Sequence, residues 1–314
     1  MKAAIVTAAG QAPVYADFDD PAVLEGTELI AVSASALSPF SKSRSMGSHY
    51  SSEGIFPSVA GAEGTGRTGD GRRVYFVLPD PPYGALAQLS RVRAEFCIAI
   101  PDGLDDVTAA AIGNPGMSAW VALVERARLQ RGETVLVNGA TGTAGRLAVQ
   151  LAKYLGAGKV IATGRNEREL EEVQSLGADV AIPLQQMEQP LIAEFSRGID
   201  VAIDYLWGES ARTIIVAIAR AVQDAHPVRF IQVGAASREE EVKIPSAALR
   251  SSAIQLMGSG VKSIPFPKLL DGIRYAFEAF LPAKLQIATK SVPLSAIEEA
   301  WGAPGRPRIV VTVP

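Results

Sequence analysis

From Thr134 onward the chain alternates short β-rich runs with helical stretches, and this alternation constrains its fold more than any other feature. The β-rich runs lie at 134–138, 159–163, 179–182, 200–204, 229–233 and 254–257. The segments between them, at 144–156, 167–176, 188–196 and 209–222, carry apolar residues three and four apart, the spacing of one helix face. Strands and helices in strict alternation predict βαβ units and a parallel, doubly wound α/β sheet. The first hundred residues read differently, as strands at 3–7, 28–33, 73–77 and 87–91 separated by Gly, Pro and Ser. Between them nine serines fall within positions 33–52, where Leu37, Phe40, Met46 and Tyr50 predict a structured loop with apolar anchors. After Gly260 come a helix at 266–280, a short one at 296–301 and a last apolar strand at 309–313.

The chain is 314 residues long with a net charge of −3, enough for two cores and without the basic footprint of a nucleic-acid binder. Cys97 is the only cysteine, so no disulfide can form within the chain, and a cytoplasmic location is expected. No apolar run is expected to reach the ~20 residues that span a bilayer, so no membrane partner is expected.

The glycine-rich turn carries the chemistry. Gly139, Gly142 and Gly145 stand between a predicted strand and a predicted helix, in the order Gly139-Ala140-Thr141-Gly142-Thr143-Ala144-Gly145. Glycines in that context let backbone approach a pyrophosphate, which rests on the amides and positive dipole of a helix N-terminus. The same residues would also serve an ordinary tight turn. At the end of the next strand, a site for NAD places a carboxylate about 20 residues past the turn. Here Gly164, Arg165 and Asn166 stand there, followed by Arg168. Two arginines point to a 2′-phosphate and hence to NADP(H), unless they pair instead with Glu169 and Glu172. Val233 and Gly234, at the end of the fifth strand, are further candidates for cofactor contact.

A series of motifs in order then resembles the zinc-free quinone oxidoreductase branch of the medium-chain dehydrogenase/reductase superfamily. They are Gly84-Ala85-Leu86-Ala87-Gln88, Ile100-Pro101-Asp102-Gly103-Leu104, Gly113-Asn114-Pro115-Gly116 and the turn itself. Leu176-Gly177-Ala178-Asp179, Ile199 to Asp204 and Val292-Pro293-Leu294 complete the series. The resemblance implies a GroES-like catalytic domain from residues 1–113 and 261–314, a Rossmann domain at 114–260, and a cofactor cleft between them. It also implies that Asn114 and Ser118 open the helix leading into the Rossmann domain, near the nicotinamide ribose. The zinc ligands of related alcohol dehydrogenases fall on Ser38 and Ala62, neither of which suits the metal. The implied activity is therefore hydride transfer from NADPH to a quinone or an α,β-unsaturated carbonyl, without a metal. His49 and Tyr50 are candidate proton or hydrogen-bond donors, and Ser41 and Lys42 candidate polar contacts. An enoyl-thioester reductase and a nucleotide-binding protein of the zeta-crystallin type remain as alternatives. A homodimer through the strand at 254–257 is also implied.

Overall fold

The computed structural model describes residues 1–314, which form two compact units. In chain order the elements begin with β1 (Lys2–Val6), β2 (Val14–Asp17), β3 (Thr27–Ala36), α1 (Pro39–Ser45), β4 (Ser58–Val59) and β5 (Glu63–Arg67). They continue with β6 (Arg73–Val77), β7 (Leu89–Arg93), β8 (Cys97–Ala99) and α2 (Asp106–Val121). The middle of the chain supplies β9 (Thr134–Asn138), α3 (Thr143–Tyr154), β10 (Lys159–Gly164), α4 (Glu167–Ser175), β11 (Val180–Pro183), α5 (Glu188–Phe195) and β12 (Val201–Asp204). Next come α6 (Gly208–Ala221), β13 (Pro227–Gln232), α7 (Ser246–Arg250) and β14 (Ala253–Gly258). The chain ends with α8 (Phe266–Glu278), β15 (Thr289–Pro293), α9 (Ile297–Trp301) and β16 (Arg308–Thr312).

The first unit comprises Met1–Asn114, Ala276–Glu278 and Ile287–Pro314. It holds a three-stranded sheet, β2-β1-β4, and a larger one ordered β15-β16-β3-β5-β6-β8, with β7 also paired to β3. All of its pairings are antiparallel except β15 with β16. Its core gathers Val6, Ile30, Phe76, Leu86, Ile297 and Val311, so both ends of the chain pack into one interior.

The second unit comprises Pro115–Tyr275 and Ala279–Gln286. Its six strands run in the order β11-β10-β9-β12-β13-β14, and every pairing is parallel. Parallel strands are buried on both faces, which explains the unbroken apolar runs Val135–Val137, Val160–Ala162 and Val201–Ile203. The order reverses between β9 and β12, and at such a switch point a doubly wound sheet receives ligands beyond its carboxyl edge. Residues 261–275 and 279–286, expected with the first unit, group with the second, and Asn114, expected with the second, groups with the first. Gly272 of α8 lies so close to α2 that a Cβ there would meet Val121 at 2.7 Å and Met117 at 3.3 Å.

Helix α2 also departs from the sequence reading. It begins at Asp106, so Asn114 and Ser118 lie inside it rather than at its opening, and one π-helical turn, Ala122–Arg126, extends it. The 21 residues Asp106–Arg126 are long and apolar enough to cross a membrane by length and composition, contrary to expectation. The reason lies in packing. Ala110 and Ala111 meet Ala34, Ala36 and Val310 in the first unit, while Val121 meets Ile264 and Leu269 in the second, so the helix is apolar around most of its girth.

Candidate functional site

The dinucleotide turn is built at the carboxyl edge of the parallel sheet. Gly139 leaves β9 with φ +82, a left-handed conformation, and a Cβ there would meet Leu206 at 2.9 Å. Gly145 lies against the turn so closely that a Cβ would stand 2.4 Å from the Gly139 carbonyl oxygen and 2.7 Å from the Ala140 Cα. Gly164 is required for a similar reason, since its Cβ would be 2.5 Å from Thr141 Cγ2. The turn is pinned by Ala140 N donating to Thr163 O at 2.9 Å and Gly142 N donating to Gly139 O at 3.1 Å.

Gly142 is different. It is the N-cap of α3 with an ordinary φ of −71, no side chain caps the helix, and a Cβ there would have only the Gly139 carbonyl oxygen near it, at 3.5 Å. An uncapped helix N-terminus on an open glycine is what a pyrophosphate group needs, so the residues present fit a dinucleotide. Thr143 and Ala144 form the first helical turn behind that glycine.

At the end of β10, Arg165 and Arg168 are both exposed, and Asn166 caps α4 by accepting from Glu169 N at 3.2 Å. Glu172 is held by Arg146 at 2.7 Å. At the end of β13, Val233 N and Gly234 N both donate to Asp204 O, at 2.8 and 3.2 Å. A Cβ on Gly234 would approach the Tyr205 carbonyl oxygen to 2.9 Å, which accounts for the glycine. Ser118 lies beside the phenol of Tyr205, whose pKa burial raises and Ser118 pulls back.

In the first unit the serine-dense stretch is partly helical. Ser38 caps α1, accepting from Ser41 N at 2.8 Å, and Pro39 follows at the first helical position. Ser41 and Ser45, four residues apart, accept from Ala62 N at 3.1 Å and from Gly61 N at 3.0 Å. Ser41 is fully buried and serves as a stitch between α1 and the segment that leads into β5. Lys42 donates to the Trp301 carbonyl oxygen at 2.5 Å and lies 5.6 Å from the Trp301 ring centroid, with its pKa lowered by burial. Both of these predicted polar contacts therefore have partners within the scaffold.

His49 and Tyr50 do come together, with ring centroids 4.1 Å apart and Phe40 edge-on to His49 at 5.1 Å. His49 Nδ1 shares a hydrogen bond with Ser51 Oγ at 2.8 Å. Burial, then the positive charge of Arg44, lowers the pKa of His49. Burial raises that of Tyr50, although the residue is 61% exposed and is not the apolar anchor expected.

Sequence reading missed the buried cluster behind α1. Glu63 is 2% exposed, accepts from Ser38 Oγ at 3.3 Å, and has Arg308 Nη2 3.9 Å away from the other end of the chain. Burial raises its pKa to about 7, against the pull of Arg308, Tyr75, Ser38 and Asn114. Asn114 thus turns toward Glu63 in the first unit. The only sequence signal was a carboxylate set among Gly61, Ala62 and Gly64, where a strand leaves no room for solvent.

A quinone oxidoreductase from Thermus thermophilus, solved alone and with NADPH, superposes with a TM-score of 0.83 at 24% identity, over 99% of this chain and 100% of that one. Residues 144–273 match the family model described as zinc-binding dehydrogenase. This is the medium-chain dehydrogenase/reductase fold.

Within this fold the quinone oxidoreductases are the branch that the sequence motifs resemble. An Emericella nidulans protein described as a probable NADPH-dependent quinone reductase is 29% identical over 71% of this chain and 64% of its own length. An Arabidopsis thaliana protein described as an NADPH-dependent alkenal/one oxidoreductase, chloroplastic, is 34% identical over 52% of this chain and 46% of its own. The chain thus spans less than two thirds of either relative. The zinc in the family's description does not fit the donors present. Ser38 is committed to Glu63 and Ser41, Ala62 has no ligating atom, and no group of three or more His, Cys, Asp or Glu could hold a metal.

Proposed function

We propose that the chain is an NADPH-dependent oxidoreductase that delivers a hydride to a quinone or to the β-carbon of an α,β-unsaturated carbonyl. The observation that carries this reading is the Gly139–Gly145 turn, which leads into a helix with no side-chain cap at the switch point of a parallel sheet. Arg165 and Arg168, exposed just past β10, supply positive charge for a 2′-phosphate. The names of the fungal and plant relatives support the same cofactor and acceptor class.

NADPH supplies the hydride, and the protein binds, orients and polarises. A carbonyl oxygen gaining negative charge needs a hydrogen-bond donor. Tyr50, with its pKa raised, keeps its phenolic proton across the neutral range and is the donor assigned here. His49, with its pKa lowered, is neutral there and supports the Tyr50 ring rather than acting as an acid. Ser41 and Lys42 hold the loop that carries them. A cytoplasmic location belongs to the same reading, as does a homodimer through β14, whose Leu256 is 43% exposed beside a shallow pocket shared with Trp207, Phe230 and Met257.

The test is a binding titration of NADPH against NADH, repeated on Arg165→Ala, followed by NADPH oxidation with quinone and enone acceptors. NADPH should bind at least about tenfold tighter, and the variant should lose that margin. Absence of binding sinks the dinucleotide reading. Tight binding without turnover on any acceptor would establish the non-catalytic alternative.

A further inference from the structure

Beneath the glycine turn runs a buried polar chain that the cofactor contacts do not use. Thr163 Oγ1 donates to Asn138 Oδ1 at 2.6 Å and accepts from Gly139 N at 3.3 Å. Asn138 Nδ2 donates to Asp204 Oδ1 at 2.7 Å and to Ser210 Oγ at 2.9 Å. Asp204 in turn accepts from Leu206 N at 3.0 Å and from Trp207 N at 3.1 Å. Thr163, Asn138 and Asp204 are each fully buried, and they stand at the ends of the three adjacent strands β10, β9 and β12.

The chain closes on itself. Trp207 has φ +63, a left-handed conformation that a bulky side chain adopts only when its surroundings impose it. The Asp204 carboxylate imposes it by gripping two successive amides. That grip fixes Leu206, whose side chain lies over Gly139, and Gly139 is the residue whose amide Thr163 holds from the other side. The left-handed conformation of Gly139 is therefore held between two arms of one hydrogen-bonded chain.

We propose that Asn138 and Asp204 are positioning residues for the dinucleotide turn, locking the Gly139 backbone in the conformation that receives the pyrophosphate. This rests on the dinucleotide reading above. Neither residue touches the cofactor in this scheme; each acts through Gly139 and Leu206. Burial raises the pKa of Asp204, while the amides of Leu206, Asn138 and Trp207 oppose that rise, so the site is paired rather than solvated.

The test measures NADPH affinity by fluorescence titration, with cooperative thermal unfolding as the check of folding. Asn138→Asp sets two carboxylates against each other and should weaken NADPH binding at least about tenfold. Adding Asp204→Asn restores one carboxylate and one amide with their places exchanged, and should return the affinity to within about threefold of the parent. The exchange also returns the pair to the parent's net charge. The uncharged change Thr163→Val, which removes the hydroxyl that holds Gly139 N and Asn138 Oδ1, therefore separates a lost hydrogen bond from a charge effect on the phosphates and should weaken binding severalfold. The same variant serves should Asn138→Asp fail to fold. A folded Asn138→Asp or Thr163→Val protein with the parent's affinity overturns the inference, as does an exchanged pair that stays weak. A parent protein that binds no NADPH overturns the dinucleotide reading itself, whereas normal parent binding with indifferent variants overturns only this inference.

Discussion

Glu63 shows how a single residue can make the first unit sensitive to pH. Its carboxyl has an ordinary value of 4.5 and is raised to about 7, chiefly by burial. Between those values the folded protein therefore holds more protons than the unfolded chain, so the Glu63 contribution to stability falls as pH rises through the window and is level above it. The full contribution is at most about 3 kcal/mol. Urea unfolding at a series of pH values should show this decline, and Glu63→Gln should abolish that part of the slope. An equal slope in both proteins would show that Glu63 is not the group responsible.

At the scale of elements, the glycines of the turn divide into two kinds with opposite expectations. Gly145→Ala forces a Cβ to 2.4 Å from backbone oxygen and should cost about 2–4 kcal/mol in thermal or chemical unfolding. Gly142→Ala meets no backbone closer than 3.5 Å and should leave stability within about 0.5 kcal/mol. It should nevertheless weaken NADPH binding, because the new methyl group occupies the open side of the helix N-terminus. The parallel sheet was legible because buried strands and amphipathic helices write different periods into a sequence. The strand β5 was not, since Glu63-Gly64-Thr65-Gly66-Arg67 lacks β-branched bulk. Its glycines are there because β3 approaches so closely that a Cβ on Gly66 would stand 2.3 Å from the Ala31 carbonyl oxygen. Helix α1 was hidden in a serine-rich stretch. Its signal was the Ser38-Pro39 start and the helical spacing of Ser38, Ser41 and Ser45, which becomes readable once those hydroxyls are seen as partners for backbone amides.

For the whole molecule, assembly has the largest structural consequence. The strand β14 is an edge of the parallel sheet, with Gln255 and Leu256 exposed. Such an edge invites pairing with its own copy across a two-fold axis. Sedimentation at micromolar concentration should give a particle twice the 33.0 kDa chain, and Leu256→Lys should return it to the single-chain mass. A parent protein that sediments as a single chain rules this interface out. What the sequence could not convey at this scale is the division of α2 between the two units, because a helix with no exposed face carries no stripe to say which core each end serves.

The place of β16 bears on how the chain is made. Its residues, 308–312, lie between β15 and β3, inside the larger sheet of the unit that the first 114 residues begin. A ribosome releases residue 30 long before residue 310, so β3 must wait for its neighbour while the whole parallel sheet is synthesised and can fold. The part of the protein made first is thus among the last to be finished, and during that interval its exposed strands are the segment most in need of a chaperone.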